Sequence, residues 1–198
     1  LFLVFFVLII LGVPIGYAIG ISALVSILSS GVNPVIFITS SLAGSNSFTL
    51  MAVPFFMLAG NLMNSGKLTD KLIDLSSTVV GHLRGGLAHI NILVSLLFGG
   101  ISGSAVADAS GVGAILIPAM EKKGYSKSFT VTVTACSSVL GQIIPPSLIM
   151  IIYASTSGAS VQALFIAGII PGILLAASMM AVSYYYAVKY DFPREEKK

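Results

Sequence analysis

The sequence predicts an all-α integral membrane protein. Only 9% of its 198 residues are charged and 56% are hydrophobic, and its mean hydropathy is +1.02. A soluble domain of this size carries about 25% charged residues. Residues 1–66 contain no Asp, Glu, Lys, Arg or His, and neither do residues 128–188. Both runs far exceed the roughly 20 apolar residues that a helix needs to span a bilayer.

The first 66 residues are predicted to form transmembrane helices. Two arrangements of residues 1–30 are open: one long tilted span, or two short spans that meet at residues 12–16, whose sequence is GVPIG. The chain begins with Leu1 and has no basic segment ahead of its first apolar run, so no signal peptide is predicted and the chain is expected to be a fragment.

Three short segments hold the remaining charged residues apart from Asp108. These segments are 67–84, 121–127 and 189–198. Because excess Lys and Arg mark cytoplasmic loops, we expect all three on the cytoplasmic side. This placement also explains the net charge of +3, so no nucleic-acid partner is expected.

Residues 67–84 are predicted to form an amphipathic helix that lies along the membrane surface as an arm. Five apolar residues are spaced along one helical stripe, and the Lys and Asp residues lie off it. The stripe is made of Leu68, Leu72, Leu75, Val79 and Leu83.

Residues 85–120 leave the cytoplasmic side and return to it within 36 residues. Two full spans and a turn need more than about 40 residues. The centre of the segment, residues 99–111, is rich in Gly, Ala and Ser. We therefore predict a re-entrant helical hairpin, whose irregular tip must be buried in protein or face a watery cavity. A pair of short full spans is the alternative.

Residues 128–155 are predicted to form a broken transmembrane helix. Pro145 and Pro146 remove two backbone donors and disfavour helix at the residues before them, so the sequence GQIIPPS at 141–147 predicts two half-helices joined by an unwound segment. A simple proline kink is the alternative. Residues 163–188 are predicted to return across the membrane as a single helix.

A broken helix beside a re-entrant hairpin is the arrangement from which secondary transporters build a site within the membrane. Half-helix N-termini direct free N–H groups at an anion, and unwound carbonyl groups offer oxygen ligands to a small cation. Hydroxyl groups are supplied by Ser102, Ser104, Ser110 and Ser147, and Asp108 is the only carboxylate between residues 75 and 120.

Asp108 has two interpretations. An ionisable group inside a membrane is a candidate functional residue, but the position also suits an N-cap of the second hairpin limb. Likewise, Ser102 and Ser104 are candidate ligands or small residues that allow close helix packing. His82 and His89 are expected at the membrane interface, and Cys136 is expected as a small core residue.

The sequence motifs of two enzyme classes, intramembrane serine proteases and ATP-hydrolysing proteins, are incomplete in this chain. The sequence GISG at 100–103 resembles the G-x-S-G of intramembrane serine proteases, but these need a histidine on a later helix and the last histidine is His89. The spacing from Gly60 to Lys67 is one residue longer than in a Walker A motif, and Leu68 stands where Ser or Thr is required. Transport would therefore depend on an ion gradient.

The chain resembles the large membrane subunit of TRAP (tripartite ATP-independent periplasmic) transporters. The resemblance rests on stretches that follow in family order along almost the whole chain. They are PFFMLAG at 54–60, GHLRGG at 81–86, GGISGSAVAD at 99–108, LIPAM at 116–120, IIPPS at 143–147 and GIIPG at 168–172.

This resemblance implies a sodium-driven importer of organic acids, such as C4-dicarboxylates or sialic acid, in the bacterial inner membrane. It implies two partners, a small four-helix membrane subunit and a periplasmic binding protein. It also implies an elevator mechanism in which residues 1–66 and the arm are scaffold. The chain would be the N-terminal half of an inverted repeat, with residues 189–198 as a cytoplasmic linker to a second half that carries the other hairpin and broken helix.

By the same resemblance, the first hairpin contributes a sodium site and the broken helix contributes its unwound partner. The hairpin residues are Ser102, Gly103, Ser104 and Asp108, of which Ser102, Ser104 and Asp108 are the candidate sodium ligands. The partner residues are Gly141, Pro145 and Ser147, and Gln142 beside them is expected to contact substrate or ion.

Three other functions stay open at this point. The first is an ion-coupled carboxylate transporter of the same superfamily that works without a binding protein. A channel or a scaffold subunit without coupled transport is the alternative of another class. A second hairpin and broken helix in the remainder of the protein would argue against the channel.

Overall fold

The computed structural model describes residues 1–46 and 48–192, without the side chains of residues 48, 49 and 63–65. These residues form eleven helices and no strand. The helices are α1 (Phe2–Ile10), α2 (Ile15–Ser29), α3 (Val35–Ser45), α4 (Phe48–Ser65), α5 (Leu68–Val80), α6 (Gly86–Ser102), α7 (Ala105–Lys122), α8 (Lys127–Ser138), α9 (Leu140–Ile143), α10 (Leu148–Ser157) and α11 (Val161–Lys189). Most of the predicted linker, residues 193–198, lies outside the described residues.

The chain divides into two compact units, of which the first is Leu1–Phe48. Here the first thirty residues form two helices, α1 and α2, rather than one long span. Pro14 lies at the boundary because it disfavours helix at Val13 and is itself well placed before a helix start. With 9 and 15 residues, each helix is shorter than the roughly 20 residues of a full crossing.

The second unit, from Thr49 onward, is built around α6. Eleven of the 17 residues of α6 are buried, and they include the polar side chains of His89, Asn91 and Ser95. One face packs Ile90, Val94 and Phe98 against apolar residues of α7. The opposite face contributes Ala88 and Ile92 to a second cluster that includes residues of α7, α9 and α11.

The arm helix α5 packs on α6. Leu72, Ile73 and Val80 contact the cluster around α6, whereas Leu75 and Val79 of the predicted apolar stripe are more than half exposed. That this stripe lies on the membrane stays a prediction. The packed face is set by α6, and the fully buried small residues on this face are Thr69 and Ser76.

Among the described residues, α11 alone is long and apolar enough to cross a bilayer unaided. Its 29 residues extend roughly 43 Å. Up to three crossings result if each of two helix pairs with a short break is counted as one span, and the pair Lys127–Ile143 and Leu148–Ser157 is bent by 42°. Whether the α6–α7 hairpin re-enters or crosses stays a prediction.

The loop before α6 is packed against the end of α11. Gly85 lies against Ala187, which is fully buried. Beside them, the rings of Tyr125 and Phe192 are 4.5 Å apart. Arg84 and Asp191 form a 3.8 Å ion pair, but both side chains are exposed, so the pair contributes little. Close packing therefore holds this junction.

Gly85→Ala should destabilise the protein more than Gly124→Ala. Both glycines have positive φ, +73° and +88°, so both substitutions strain the backbone by about 1–2 kcal/mol. A Cβ at Gly85 would lie 2.6 Å from the Cβ of Ala187, while a Cβ at Gly124 meets nothing within 4 Å. Overpacking adds about 1–3 kcal/mol at Gly85 only. Thermal unfolding of the full-length protein in detergent measures the difference.

The double variant Gly85→Ala with Ala187→Gly serves as the control for this steric explanation. It should recover part of the stability that Gly85→Ala loses, because the contacting methyl group is removed. Equal losses for Gly85→Ala and Gly124→Ala would show that the Ala187 contact is unimportant.

Candidate functional site

The hairpin between α6 and α7 turns at Gly103 and Ser104. Gly103 has φ +61° and its N–H donates to the Gly99 carbonyl, 2.8 Å away. Ser104 is the N-cap of α7, and its hydroxyl accepts a hydrogen bond from the Ala107 N–H at 3.3 Å. The tight turn needs glycine because a Cβ on Gly103 would also lie 2.8 Å from the Pro146 carbonyl oxygen.

The broken helix consists of α8, its continuation α9, and α10, with the break at residues 144–147. The sequence prediction began the unwound segment at Gly141, and this was wrong: Gly141 and Gln142 are helical. The prolines explain the difference because they disfavour helix only at the residues directly before them.

The prolines also leave carbonyl groups without their usual helical donors. The groups that would receive N–H bonds from Pro145 and Pro146 are the carbonyls of Gly141 and Gln142, four residues earlier. Ser147 replaces one of these donors, because its hydroxyl donates to the Gln142 carbonyl at 2.7 Å. The same hydroxyl accepts from the Met150 N–H at 3.3 Å and so caps α10.

The hairpin tip is in direct contact with the break. A Cβ on Gly99 would lie 2.5 Å from the Cα of Gly141, so two backbones meet where neither has a side chain. The Leu148 N–H donates to the Gly103 carbonyl at 3.3 Å. The N-terminus of α10 therefore lies beside the N-terminus of α7, and their partial positive charges converge on this junction.

Helix α11 supports the junction from another side. Gly168 packs against the carbonyl of Ile143, and Gly172 packs against the side chain of Ile144. Small residues four apart on one helix face allow such close approach in membrane proteins.

A small cavity of about 180 Å³ lies at the hairpin tip. Its polar lining includes Ser102, Ser104 and Ser110 of the hairpin and Asn61 of α4. The sequence analysis did not single out Asn61, although it is a polar residue within the apolar helix α4. The Ser110 hydroxyl donates to the Val106 carbonyl of its own helix at 2.8 Å.

A larger groove of about 780 Å³ lies between α8 and α11, but none of the predicted site residues lines it. Its walls include Phe129 and Tyr186, together with Cys136, which is exposed there. The prediction of Cys136 as a core residue was therefore wrong. We place the candidate site at the tip and the break, because the predicted residues meet there.

Asp108 lies in the first turn of α7 and is fully buried. It is not the N-cap, which is Ser104. It faces Ser95 of α6, but neither carboxylate oxygen makes a hydrogen bond of normal geometry within the described residues. Asp108 does not line the tip cavity, whereas Ser102 and Ser104 do.

His89 is also buried, with 2% of its surface exposed, and its ring centre is 6.3 Å from that of Tyr184 on α11. Within the described part of the chain, no three His, Cys, Asp or Glu side chains are grouped to hold a metal ion. The oxygen groups available at the junction are instead carbonyls, hydroxyls and the Asp108 carboxylate.

Apolar helices, with a hairpin tip and a helix break in mutual contact, are typical of α-helical membrane transport proteins. A family model described as "Tripartite ATP-independent periplasmic transporter, DctM component" matches residues 2–198. The chain belongs to this family, which confirms the resemblance seen in the sequence. The family is one of transporter permeases, which are not enzymes.

Three relatives illustrate the similarity. The chain is 46% identical over 197 residues to the uncharacterised protein YgiK of Salmonella typhimurium, covering 98% of this chain and 45% of the relative. It is 42% identical over 196 residues to the sialic acid TRAP transporter permease SiaT of Haemophilus influenzae, covering 98% and 32%. It is 41% identical over 184 residues to the sialic acid TRAP transporter large permease SiaM of Vibrio cholerae, covering 91% and 43%. The chain thus spans less than half the length of each.

Gly99→Ala should lower the free energy of unfolding by about 1–3 kcal/mol, because the added methyl group overpacks the contact with Gly141. Gly60→Ala in α4 is the matched control. A Cβ there would make ordinary contacts of 3.4–3.6 Å with Ser102, and alanine favours helix by about 1 kcal/mol. Chemical or thermal unfolding of the purified full-length protein compares the two. A stable Gly99→Ala variant would show that the tip and the break are not in close contact.

Proposed function

We propose that the full-length protein is the large membrane subunit of a sodium-coupled importer of organic acids. The observation that carries this proposal is the fully buried Asp108 carboxylate, unpartnered among the described residues, close to a hairpin tip that contacts a helix break.

A buried carboxylate without a partner is unstable as an anion. Removing a carboxylate from water costs several kcal/mol, so the group must either take up a proton or hold a cation. The break supplies further oxygen ligands nearby, because Pro145 removes the helical donor of the Gly141 carbonyl. Carbonyl groups of unwound helix are typical Na⁺ ligands in secondary transporters. The candidate sodium ligands are therefore Asp108 and the backbone at Gly141, whereas Ser102 and Ser104 line the tip cavity, which Asp108 does not.

The anion would be attracted by the two helix N-termini that meet at the junction. Helices α7 and α10 begin at Ala105 and Leu148, and their first N–H groups carry partial positive charge. The cavity at the tip offers hydroxyl groups of Ser102, Ser104 and Ser110. At about 180 Å³ it suits one polar group of a substrate, since complete ligand pockets measure about 300–1,000 Å³. The relatives SiaT and SiaM are named for sialic acid, an organic acid.

The remainder of the site would come from the rest of the protein. We propose that a C-terminal half with the second hairpin and second broken helix completes an inverted repeat, and that the two halves move substrate as an elevator. The proposed partners are a small four-helix subunit and a periplasmic binding protein, in a bacterial inner membrane that the subunit crosses several times. The present chain alone is not expected to transport.

Uptake by the full-length subunit with both partners in proteoliposomes tests this function. Uptake of labelled sialic acid and C4-dicarboxylates should require an inward sodium gradient and should fall about tenfold or more in Asp108→Asn. This magnitude follows because a contact with a charged group is worth about 1.5–3 kcal/mol. Asp70→Asn is the matched control, since Asp70 also lies in the first turn of a helix but is exposed.

Three outcomes would change the proposal. Uptake that responds to a pH gradient and not to sodium would identify protons as the coupling ion. Uptake that persists without the binding protein would favour a carrier that works without such a partner. Uptake unchanged by Asp108→Asn, or equally reduced by Asp70→Asn, would exclude Asp108 from the site.

A further inference from the structure

The groove between α8 and α11 is separate from the hairpin tip and the break. None of the residues that line the tip cavity also lines the groove, and the proposed transport function does not use it. Its volume of about 780 Å³ lies within the range of complete ligand pockets, which measure about 300–1,000 Å³. The groove is therefore examined as a second binding site.

The length of the groove matches the depth of one membrane leaflet. At one end it is lined by Ser126 at the start of α8 and by Tyr190 at the end of α11, and its walls continue to Cys136 and Ser178. The span from 126 to 136 rises roughly 15 Å, and that from 178 to 190 rises roughly 18 Å. Half of a hydrocarbon core of about 30 Å is about 15 Å.

The walls of the groove suit a hydrocarbon chain. Its apolar lining includes Phe129, Val133, Met179 and Val182, and none of the described residues that line it is charged. Tyr186 stacks on Tyr190 towards one end, with ring centres 5.8 Å apart. Tyrosine is enriched where membrane and water meet, so this end of the groove is expected at the membrane surface.

Lysine side chains lie beside this surface end. The Lys189 Nζ is 5.6 Å from the ring centre of Tyr190, which lines the groove. Lys127 is exposed and lies between Ser126 and Ser128, which both line the groove. The apolar groove therefore has positive charge at its surface end only.

The acidic residues nearby do not cancel this charge. Segment 121–127 holds three lysines and one glutamate, and segment 189–192 holds Lys189 and Asp191. Asp191 is itself 3.8 Å from Arg84. An excess of lysine predicts that this end faces the cytoplasm, and the cytoplasmic leaflet carries a negative surface potential from anionic lipids. Basic pockets between membrane helices on this side bind anionic lipid headgroups.

We propose that the groove binds one anionic phospholipid of the cytoplasmic leaflet. One acyl chain lies along the apolar walls of α8 and α11, and the headgroup lies beside Lys127 and Lys189. The lipid contacts the helix that continues into the break and the helix that supports it, so its binding stabilises the folded protein. This site does not depend on the proposed transport function.

Cys136 reports whether the groove is occupied, because its side chain is exposed at the deep end. The purified, delipidated full-length protein is treated with N-ethylmaleimide, and modification of the Cys136 peptide is quantified by mass spectrometry. Dioleoyl phosphatidylglycerol should slow this modification at least fivefold more than dioleoyl phosphatidylcholine does. Equal protection by the two lipids would overturn the proposal. A Cys136 that reacts only after unfolding, with or without lipid, would show that the remainder of the protein covers the groove, and would also overturn it.

Two lysine variants test the headgroup contact. Lys127→Gln and Lys189→Gln should each raise the phosphatidylglycerol concentration for half-maximal protection of Cys136 about fivefold, since a basic residue near an anionic surface contributes about 1 kcal/mol. Lys71→Gln is the matched control, because Lys71 is exposed on α5 away from the groove. Unchanged protection in both variants, or an equal shift in Lys71→Gln, would contradict the assignment.

A bulky side chain in the groove tests the acyl chain. Thr132→Trp should abolish the rise in melting temperature that phosphatidylglycerol gives over phosphatidylcholine, because the indole fills the groove. Val131→Trp should keep that rise, since Val131 is exposed on the same helix but does not line the groove. Equal melting temperatures of the two variants in phosphatidylcholine show that both are folded. A rise that persists in Thr132→Trp, or is lost in both variants, would overturn the proposal.

Discussion

The contact between Gly99 and Gly141 is the constraint on which the second unit depends. A helix that ends in a tight turn and a helix that ends in a proline break reach the same point only if their backbones approach without side chains between them. The two helices run in the same direction, and the hydroxyls of Ser95 and Ser137 are 3.0 Å apart one turn earlier. Small residues along this line bring the hairpin tip to the break. The position of α11 follows, because Gly168 and Gly172 pack on the residues at the start of the break.

The same constraint explains why unpaired polar groups collect at this point. Two prolines end α9, so carbonyl groups lose their donors, and the turn at Gly103 begins a new helix whose first N–H groups need acceptors. Ser104 and Ser147 are N-caps whose hydroxyl groups accept hydrogen bonds from some of these N–H groups. In a soluble protein, water would satisfy the rest. Inside a membrane the remaining groups need a ligand or each other, which makes the junction suited to binding both signs of charge.

Sequence patterns were sufficient for the class of fold and for the positions of the hairpin turn and the helix break. Uncharged runs indicated the membrane, and the Gly-Ser-rich and Pro-Pro segments indicated the tip and the break. Other features depend on tertiary neighbours. For α5, the neighbouring helix α6 decides which residues are buried, so Leu72, Ile73 and Val80 pack inward while Leu75 and Val79 stay exposed. Spacing within one segment likewise does not show that Asp108 lies outside the cavity that Ser102 and Ser104 line. Asn91 and Ser95, four residues apart on α6, were the sequence signal for the buried hydrogen bonds between α6 and α8.

The separation of Asp108 from the tip cavity has a consequence for coupling. The Asp108 carboxylate does not line the cavity, so an anion in the cavity and a cation at Asp108 need no direct contact. Both would instead act on the same short segment, since Ser104 caps α7 and Asp108 lies one turn later. A cation at Asp108 neutralises a carboxylate that would repel an anion near the tip, and an anion near the tip makes cation binding more favourable in return. Such reciprocity is required of any pair of linked binding sites. In the proposed transporter, the low dielectric of the junction strengthens it, because charges attract more strongly where water is excluded.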